Sequence, residues 1–368
     1  MLQTREPSIH SKVRVTLDEV DRDVIRLEPS GGIELVDGGK YNYAVASTGF
    51  PETKLLTPAH QYADPTRAHP QHPHRITAFD VAPDGSQFAT GFLDGSVHIY
   101  GTEMKNPPAE SAFGKPHKST TTSLQFFPSS AALTPARTLM GHRRAITSTA
   151  IVARGRNVLS ASLDGTVRLW DVSSGEKIHT LAAGKGSFAP VTSMSLGERA
   201  SAALPAGAPA APDPREVETS DKLLFCALQT RSFEAFDLGA CEAVYASAPG
   251  AAPLSAIAYA PAHNLLATGS GAGVVEVFDT RALGAPLAVF TRGEAGVADL
   301  RWSGDGRALL VSTDDGLPFV ASVAPGAVRV AAEIVGTDCD PVRGIRVVGS
   351  DVWSAADDGV VRRYVSAF

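Results

Sequence analysis

Short runs of alternating hydrophobic and polar residues recur along most of the chain, separated by turn residues, a period-two pattern that predicts β-strands. Residues 141–171, GHRRAITSTAIVARGRNVLSASLDGTVRLWD, show it most fully. Three alternating runs, TSTAIV, NVLSAS and TVRLWD, are broken by Arg154-Gly155-Arg156-Asn157 and by Asp164-Gly165. Asp-Gly between alternating runs is a strong hairpin signal, so the stretch predicts three antiparallel strands. The run ITAFDVAPDGSQFATGFLDGSVHIY, from Ile76, repeats the arrangement. Later copies include KLLFCALQTRSFEAFD, APLSAIAYAPAHNLLATGSGAGVVEVFDT, AGVADLRWSGDGRALLVSTDDGLPFVASV and DCDPVRGIRVVGSDVWSAADDGVVRRYVS.

Gly141-His142 ahead of three strands and Trp170-Asp171 behind them resemble one repeat of the WD-repeat β-propeller family. The expected fold is therefore all-β, a WD-repeat β-propeller. Each repeat offers an aromatic slot near its third strand: Tyr100, Trp170, Phe236, Phe278, Ala321 and Tyr364. The last three intervals are 42 or 43 residues, the period of a four-stranded blade. From Trp170 to Phe236 the interval is 66, one blade plus an Ala/Pro-rich insertion at about 198–220 that is expected to be mobile. From Tyr100 to Trp170 it is 70, too long for one blade and too short for two. There HKSTTTSLQFFPSS reads as an inner strand and ARTLM as an outer one, with the two middle strands missing. Seven blade positions are expected, the second stunted. KYNYAVAST, residues 40–48, is the candidate N-terminal strand that closes the last blade and leaves no open sheet edge. Residues 40–368 are then the propeller, and 1–39 a β-rich or poorly ordered appendage.

The residue types within a repeat have a physical reason. An indole N–H only donates, so a buried Trp170 needs an acceptor such as Ser160. Ser160 passes the hydrogen bond to His142, and His142 to Asp164, a brace that satisfies each buried polar group. Ser, His and Asp are also the types of a hydrolase triad, but between strands of a repeat they read as structure. His72, Thr90, Asp94 and Tyr100 are the expected brace of the first blade. His69, His72 and His74 lie among prolines without acidic or Cys neighbours, which argues against a metal site. Gly269-Ser270-Gly271-Ala272-Gly273 precedes a strand rather than a helix N-terminus, so it reads as a turn and not a phosphate loop.

Composition narrows the function classes. A net charge of −6 argues against general nucleic-acid or anionic-membrane binding. Cys226, Cys241 and Cys339 are odd in number and widely spaced, so neither a disulfide framework nor a CxxC metal site is encoded. No apolar run approaches a membrane span, and the start, MLQTREPS, has no apolar signal core. No nucleophile motif or carboxylate pair stands out, so no enzyme, cofactor or metal is expected. Propellers usually bind through loops at one rim. Sorting those loops gives an acidic set, Glu294, Asp314, Asp315, Asp338, Asp340, Asp357 and Asp358, and a basic set, Arg75, Lys118, Arg143, Arg144 and Arg231. The acidic set over the last two blades is expected to meet a basic protein partner. Trp302 and Trp353, on alternating strands, are expected in the core.

TAIVARGRNVLSASLDGTVRLWD, residues 149–171, and GTDCDPVRGIRVVGSDVWSAADDGVVRRY, residues 336–364, resemble the proteasomal ATPase-associated factors, WD-repeat assembly chaperones of the proteasome regulatory particle. The resemblance implies a non-enzymatic, cytoplasmic and nuclear chaperone. It would bind, as a monomer, the C-terminal domain of a regulatory-particle ATPase subunit and hold it until the base is built. A rival reading is a substrate receptor of a cullin-type ubiquitin ligase. Such receptors often end a blade with WD-x-Arg, a pattern absent from Trp170-Asp171-Val172-Ser173 and approached by Phe278-Asp279-Thr280-Arg281. A generic scaffold without a dedicated client is the third.

Overall fold

The computed structural model describes residues 12–17, 25–30, 34–37, 42–47, 50–64, 74–103, 108–115, 119–127, 137–199, 204, 213–324, 327–337 and 340–365. Among them all regular structure is β-strand apart from two single 3-10 turns, and no helix is long and apolar enough to cross a membrane. Five separate four-stranded sheets are present. Sheet A runs through Ile76–Val81, Gln87–Phe92, Val97–Gly101 and Glu110–Gly114. Sheet B comprises Ile146–Val152, Asn157–Ser162, Thr166–Asp171 and Lys177–Ala182. Sheet C comprises Val191–Glu198, Lys222–Leu228, Phe233–Asp237 and Glu242–Ala246. Sheet D comprises Leu254–Ala260, Leu265–Ser270, Val274–Asp279 and Ala288–Thr291. Sheet F joins Val342–Val348, Asp351–Ala356 and Val360–Tyr364 to the N-terminal strand His60–Ala63. Sheet E begins with the same order, Val297–Trp302, Ala308–Thr313, Phe319–Ala324 and Ala327–Ile334, but continues to seven strands.

The first strands pack side by side in the order B, C, D, E, F, A, so the sheets stand around an axis as blades. In every one the aromatic slot has the same register. Tyr100, Trp170, Phe236, Phe278, Ala321 and Tyr364 pair with Phe88, Val158, Leu224, Leu266, Leu309 and Val352, twelve residues earlier in each case. All six slot residues are buried, because a fixed hairpin length delivers the same pleat position to the space between neighbouring sheets.

Seven blades are not present among the described residues. Between sheets A and B no sheet forms among the described residues, and residues 121–126 run there as a single segment. Thr77 explains how one segment fits. The first strand of each sheet is bulged at its second residue, and a bulge re-aims a side chain. At that residue Thr147, Thr192 and Ser255 each donate a hydroxyl to the first carbonyl of the next sheet, Val191, Leu254 and Val297, at 2.9, 2.7 and 2.6 Å. Thr77 donates in the same way to Thr121 O at 2.7 Å, so the lone segment stands where an inner strand would.

The closing strand also differs from expectation. Residues 42–47 do not close sheet F; His60–Ala63 does, with Val360 opposite Ala63 and Arg363 opposite His60. Burial decides between them: Tyr62 is 4% exposed, stacks on Trp353 at 5.7 Å between ring centroids and touches Phe88 of sheet A. The strand Phe50–Leu56 instead lies parallel to Ala327–Ile334 on the outer edge of sheet E, followed by Asn42–Ser47 and Glu34–Asp37. This sheet runs across the 39/40 boundary drawn from the sequence. Lys12–Leu17 and Ile25–Ser30 form a separate hairpin.

Candidate functional site

In sheet B, Trp170 donates its indole N–H to Ser160 Oγ at 2.8 Å. Ser160 Oγ lies 2.7 Å from His142 Nε2, and His142 Nδ1 lies 2.9 Å from Asp164 Oδ2. The donor-only indole leaves the Ser160 hydrogen free to point to Nε2, with Nδ1 facing Asp164. Burial acts to raise the Asp164 carboxyl, but donors from the Thr166 hydroxyl, the Arg143 N–H and His142 outweigh it and hold the group well below the usual carboxylate range. Ser160 is buried with both hydrogen-bonding directions used, so this Ser-His-Asp arrangement offers no nucleophile to a substrate. Asp171, the last residue of the WD pair, accepts from the N–H groups of Ser173 and Ser174 and fixes the turn into the outer strand.

Sheet A does not repeat this network. Tyr100 donates to Asp64 Oδ2 at 3.0 Å rather than to Thr90, and Thr90 Oγ1 is buried with no partner among the described residues. Asp94 is exposed, accepting from Ser96 and pairing with Lys115 at 3.2 Å. His72, and with it the expected histidine of this brace, lies outside the described residues, as do His69, Lys118, Asp338 and Cys339.

Trp353 is buried. Trp302 is only half-buried and donates to Ala258 O at 3.1 Å.

The acidic set divides on contact with its surroundings. Asp357 is 6% exposed and receives Nε–H and Nη2–H of Arg343 at 3.0 and 2.9 Å, while the third arm of Arg343 reaches Asp314 at 2.9 Å. Asp358 pairs with Arg362. These doubled aspartates are therefore braces across turns, not free rim charges, because each faces an arginine that charge sorting along the sequence left out. Asp340 is half-buried. Glu294 and Asp314 are exposed, and Asp315 is half-buried on the wall of a cavity of about 220 Å³. On the basic side, Arg75, Arg143, Arg144 and Arg231 are exposed.

That cavity lies at the rim where the turn after Leu265–Ser270, the loop before Val297 and the turn after Ala308–Thr313 meet. Val297, Val311 and Phe319 form its apolar floor; Thr313 and Asp315 supply polar atoms. Thr313 Oγ1 is buried and lacks a partner among the described residues. Arg292 lies over the Phe319 ring at 5.4 Å, donates to Leu317 O at 2.9 Å and pairs with Glu333 at 2.6 Å. Burial pushes the Glu333 carboxyl up, Arg292 pulls it back and Asp315 pushes it up again. Leu317 stands exposed at the mouth. An apolar floor with a few polar atoms is the usual composition of a site that accepts a side chain.

Sequence sorting missed a charge cluster on the inner strands. Arg346 donates to Asp80 Oδ1, Asp299 Oδ2 and Phe79 O, each at 2.8 Å, and Asp80 also accepts Phe126 N–H at 2.7 Å. Arg301 stands 3.6 Å from Asp299. Charged residues on otherwise apolar inner strands, and the Thr or Ser at the second position of ITAFDV, ITSTAIV, VTSMSL and LSAIAY, were the available signals. A second grouping falls outside the ring: His179, Glu216 and Cys241 meet between sheets B and C. Burial, then the carboxylates of Glu216 and Asp237, push the Cys241 thiol up to about 11. Arg281 is folded onto Asp279, its Nη2 at 2.6 Å from Oδ2.

Radially packed antiparallel sheets with this repeat make the protein an all-β WD-repeat propeller, a class that typically serves as a non-enzymatic interaction scaffold. The WD domain, G-beta repeat matches residues 64–101 and 133–171, which end at the third strands of sheets A and B. The chain is similar to Proteasomal ATPase-associated factor 1 of Homo sapiens, 29% identical over 153 residues. The match covers 42% of this chain and 37% of the relative's own length.

Proposed function

We propose that this chain is a non-enzymatic interaction propeller that binds the C-terminal domain of a proteasomal regulatory-particle ATPase subunit and regulates assembly of the particle's base. The observation that carries the proposal is the similarity over 153 residues to a protein named for its association with proteasomal ATPases. The rim cavity between sheets D and E supplies the docking place. Its apolar floor takes an apolar or aliphatic stem, and Asp315 on its wall, with the exposed Glu294 in the adjoining loop, favours a basic contact surface. With Asp314, Asp357 and Asp358 engaged by arginines, the contact acids of the proposal narrow to Glu294 and Asp315. Arg281, held by Asp279, adds nothing to the ligase-receptor reading. The chain acts as a monomer in cytoplasm and nucleus under this proposal.

The test is a pull-down with the tagged chain from native extract at low and moderate salt, read by mass spectrometry. Recovery of proteasomal ATPases without the proteolytic core, reduced by Asp315→Lys, is the expected result. Absence of ATPase subunits at low salt overturns the proposal, and recovery of a cullin adaptor in their place replaces it with the rival reading.

A further inference from the structure

We propose that His179, Glu216 and Cys241 form a divalent transition-metal site of the zinc class, which staples the returning end of the insertion to sheets B and C. The three side chains come from three separate elements: the outer strand of sheet B, the insertion, and the turn after Phe233–Asp237. Their imidazole nitrogen, carboxylate oxygen and thiol sulfur all lie within 4.8 Å of one another. Zinc bonds run about 2.0–2.3 Å to these atoms, so side-chain rotation closes the triangle on one ion. A mixed nitrogen, oxygen and sulfur set selects zinc-like ions over magnesium or calcium, which take oxygen. Three protein ligands leave a fourth position for water, and all three side chains are only partly buried, so an ion can enter from solvent.

The backbone around the trio is already arranged. Thr219 donates its hydroxyl to Glu216 Oε2 at 3.0 Å, the kind of outer contact that orients a metal-binding carboxylate. Asn157 of sheet B holds the insertion on both sides of Glu216, donating to Arg215 O at 3.1 Å and accepting Val217 N–H at 2.9 Å. Cys241 has φ 55°, a left-handed conformation, at the end of a turn in which Asp237 accepts the Gly239 N–H at 2.9 Å. His179 and Glu216 hydrogen-bond to each other, which anchors the insertion when no ion is bound. On binding, the thiol proton leaves to solvent, and Glu216 with the thiolate balances the two charges of the ion.

The experiment is calorimetric titration of the full chain with zinc chloride, with magnesium chloride as the control ion. One zinc per chain and no magnesium binding are expected. Cys241→Ser and His179→Gln each weaken binding by at least tenfold, Thr219→Ala weakens it by roughly 10–100-fold, and His263→Gln, remote from the trio, leaves it unchanged. A readout on the native chain removes any dependence on variant folding: zinc slows alkylation of Cys241 by iodoacetamide, followed on its own peptide. Absence of saturable zinc binding, binding unaltered by both ligand substitutions, or alkylation unaffected by zinc overturns the proposal.

Discussion

Arg346 of sheet F donates its Nε–H to Asp80 of sheet A at 2.8 Å, across 266 residues of chain. The same guanidinium reaches Asp299 of sheet E, so one side chain ties three consecutive sheets at the point where the chain's last sheet meets its first. Desolvation lowers the Arg346 pKa, but Asp299 and Asp80 more than offset it and the guanidinium stays charged. Each carboxylate has the arginine and a backbone N–H as donors, Phe126 for Asp80 and Ile345 for Asp299.

Replacing Arg346 by Met removes the cation that Asp80 and Asp299 share and leaves Arg301, 3.6 Å from Asp299, to face them. Breaking a buried pair costs about 3–5 kcal/mol. Urea unfolding of the variant is expected to show a midpoint lowered accordingly with an unchanged slope. A midpoint equal to wild type removes the closure role from this residue.

Trp170 is 3% exposed and both fills core volume and donates the first hydrogen bond of the sheet B brace. Trp170→Ala is expected to destabilise by about 3–5 kcal/mol. Trp170→Phe keeps much of the volume but strips Ser160 of its donor, which costs about 1–3 kcal/mol. Calorimetric melting distinguishes the two, and a Phe variant as damaged as the Ala variant shows that volume loss alone does not rank them.

Asp164 gives the brace a pH dependence of defined sign. Its folded pKa lies below the ordinary aspartate value, so its contribution is complete above the unfolded value and is lost as the pH falls through the folded one. Melting temperature is expected to drop on acidification below about pH 4, and Asp164→Asn to flatten that limb while lowering stability near neutrality. An acid limb that stays as steep in the variant assigns the effect to other carboxylates.

Asp357 and Asp315 separate stability from binding. Asp357→Lys places a second cation against Arg343 in a buried position and is expected to cost about 1–3 kcal/mol, with the half-exposed arginine limiting the loss. Asp315→Lys alters the wall of the rim cavity, and its expected effect is weaker partner capture with little change in melting. Equal melting temperatures for the two variants contradict the division drawn between bracing and rim aspartates.

Much of the fold was legible because its signals are local. Alternation, Asp-Gly turns and an aromatic slot every 42 or 43 residues set strand, hairpin and register, and each needs only the residues within one repeat. The Ser160, His142, Asp164 and Trp170 chain was legible for the same reason, since all four lie within thirty residues. What the tertiary structure decided involves choices between equivalent partners. Residues 42–47 and 60–63 are both strand-forming, and which of them closes sheet F depends on Tyr62 finding Trp353 and Phe88, two rings from opposite ends of the chain. The seven-position count depended on whether residues 121–126 could stand alone, and a bulge-directed hydroxyl from Thr77 lets them. The acidic rim looked freer in sequence than it is, because Arg343 and Arg362 reach Asp357 and Asp358 only once the strands are paired. His179, Glu216 and Cys241 share no spacing that marks a metal site, and only the packing of sheets B and C with the insertion brings them together. Local sequence specifies the pleat and the turn; which edges and charges meet is a property of the closed ring.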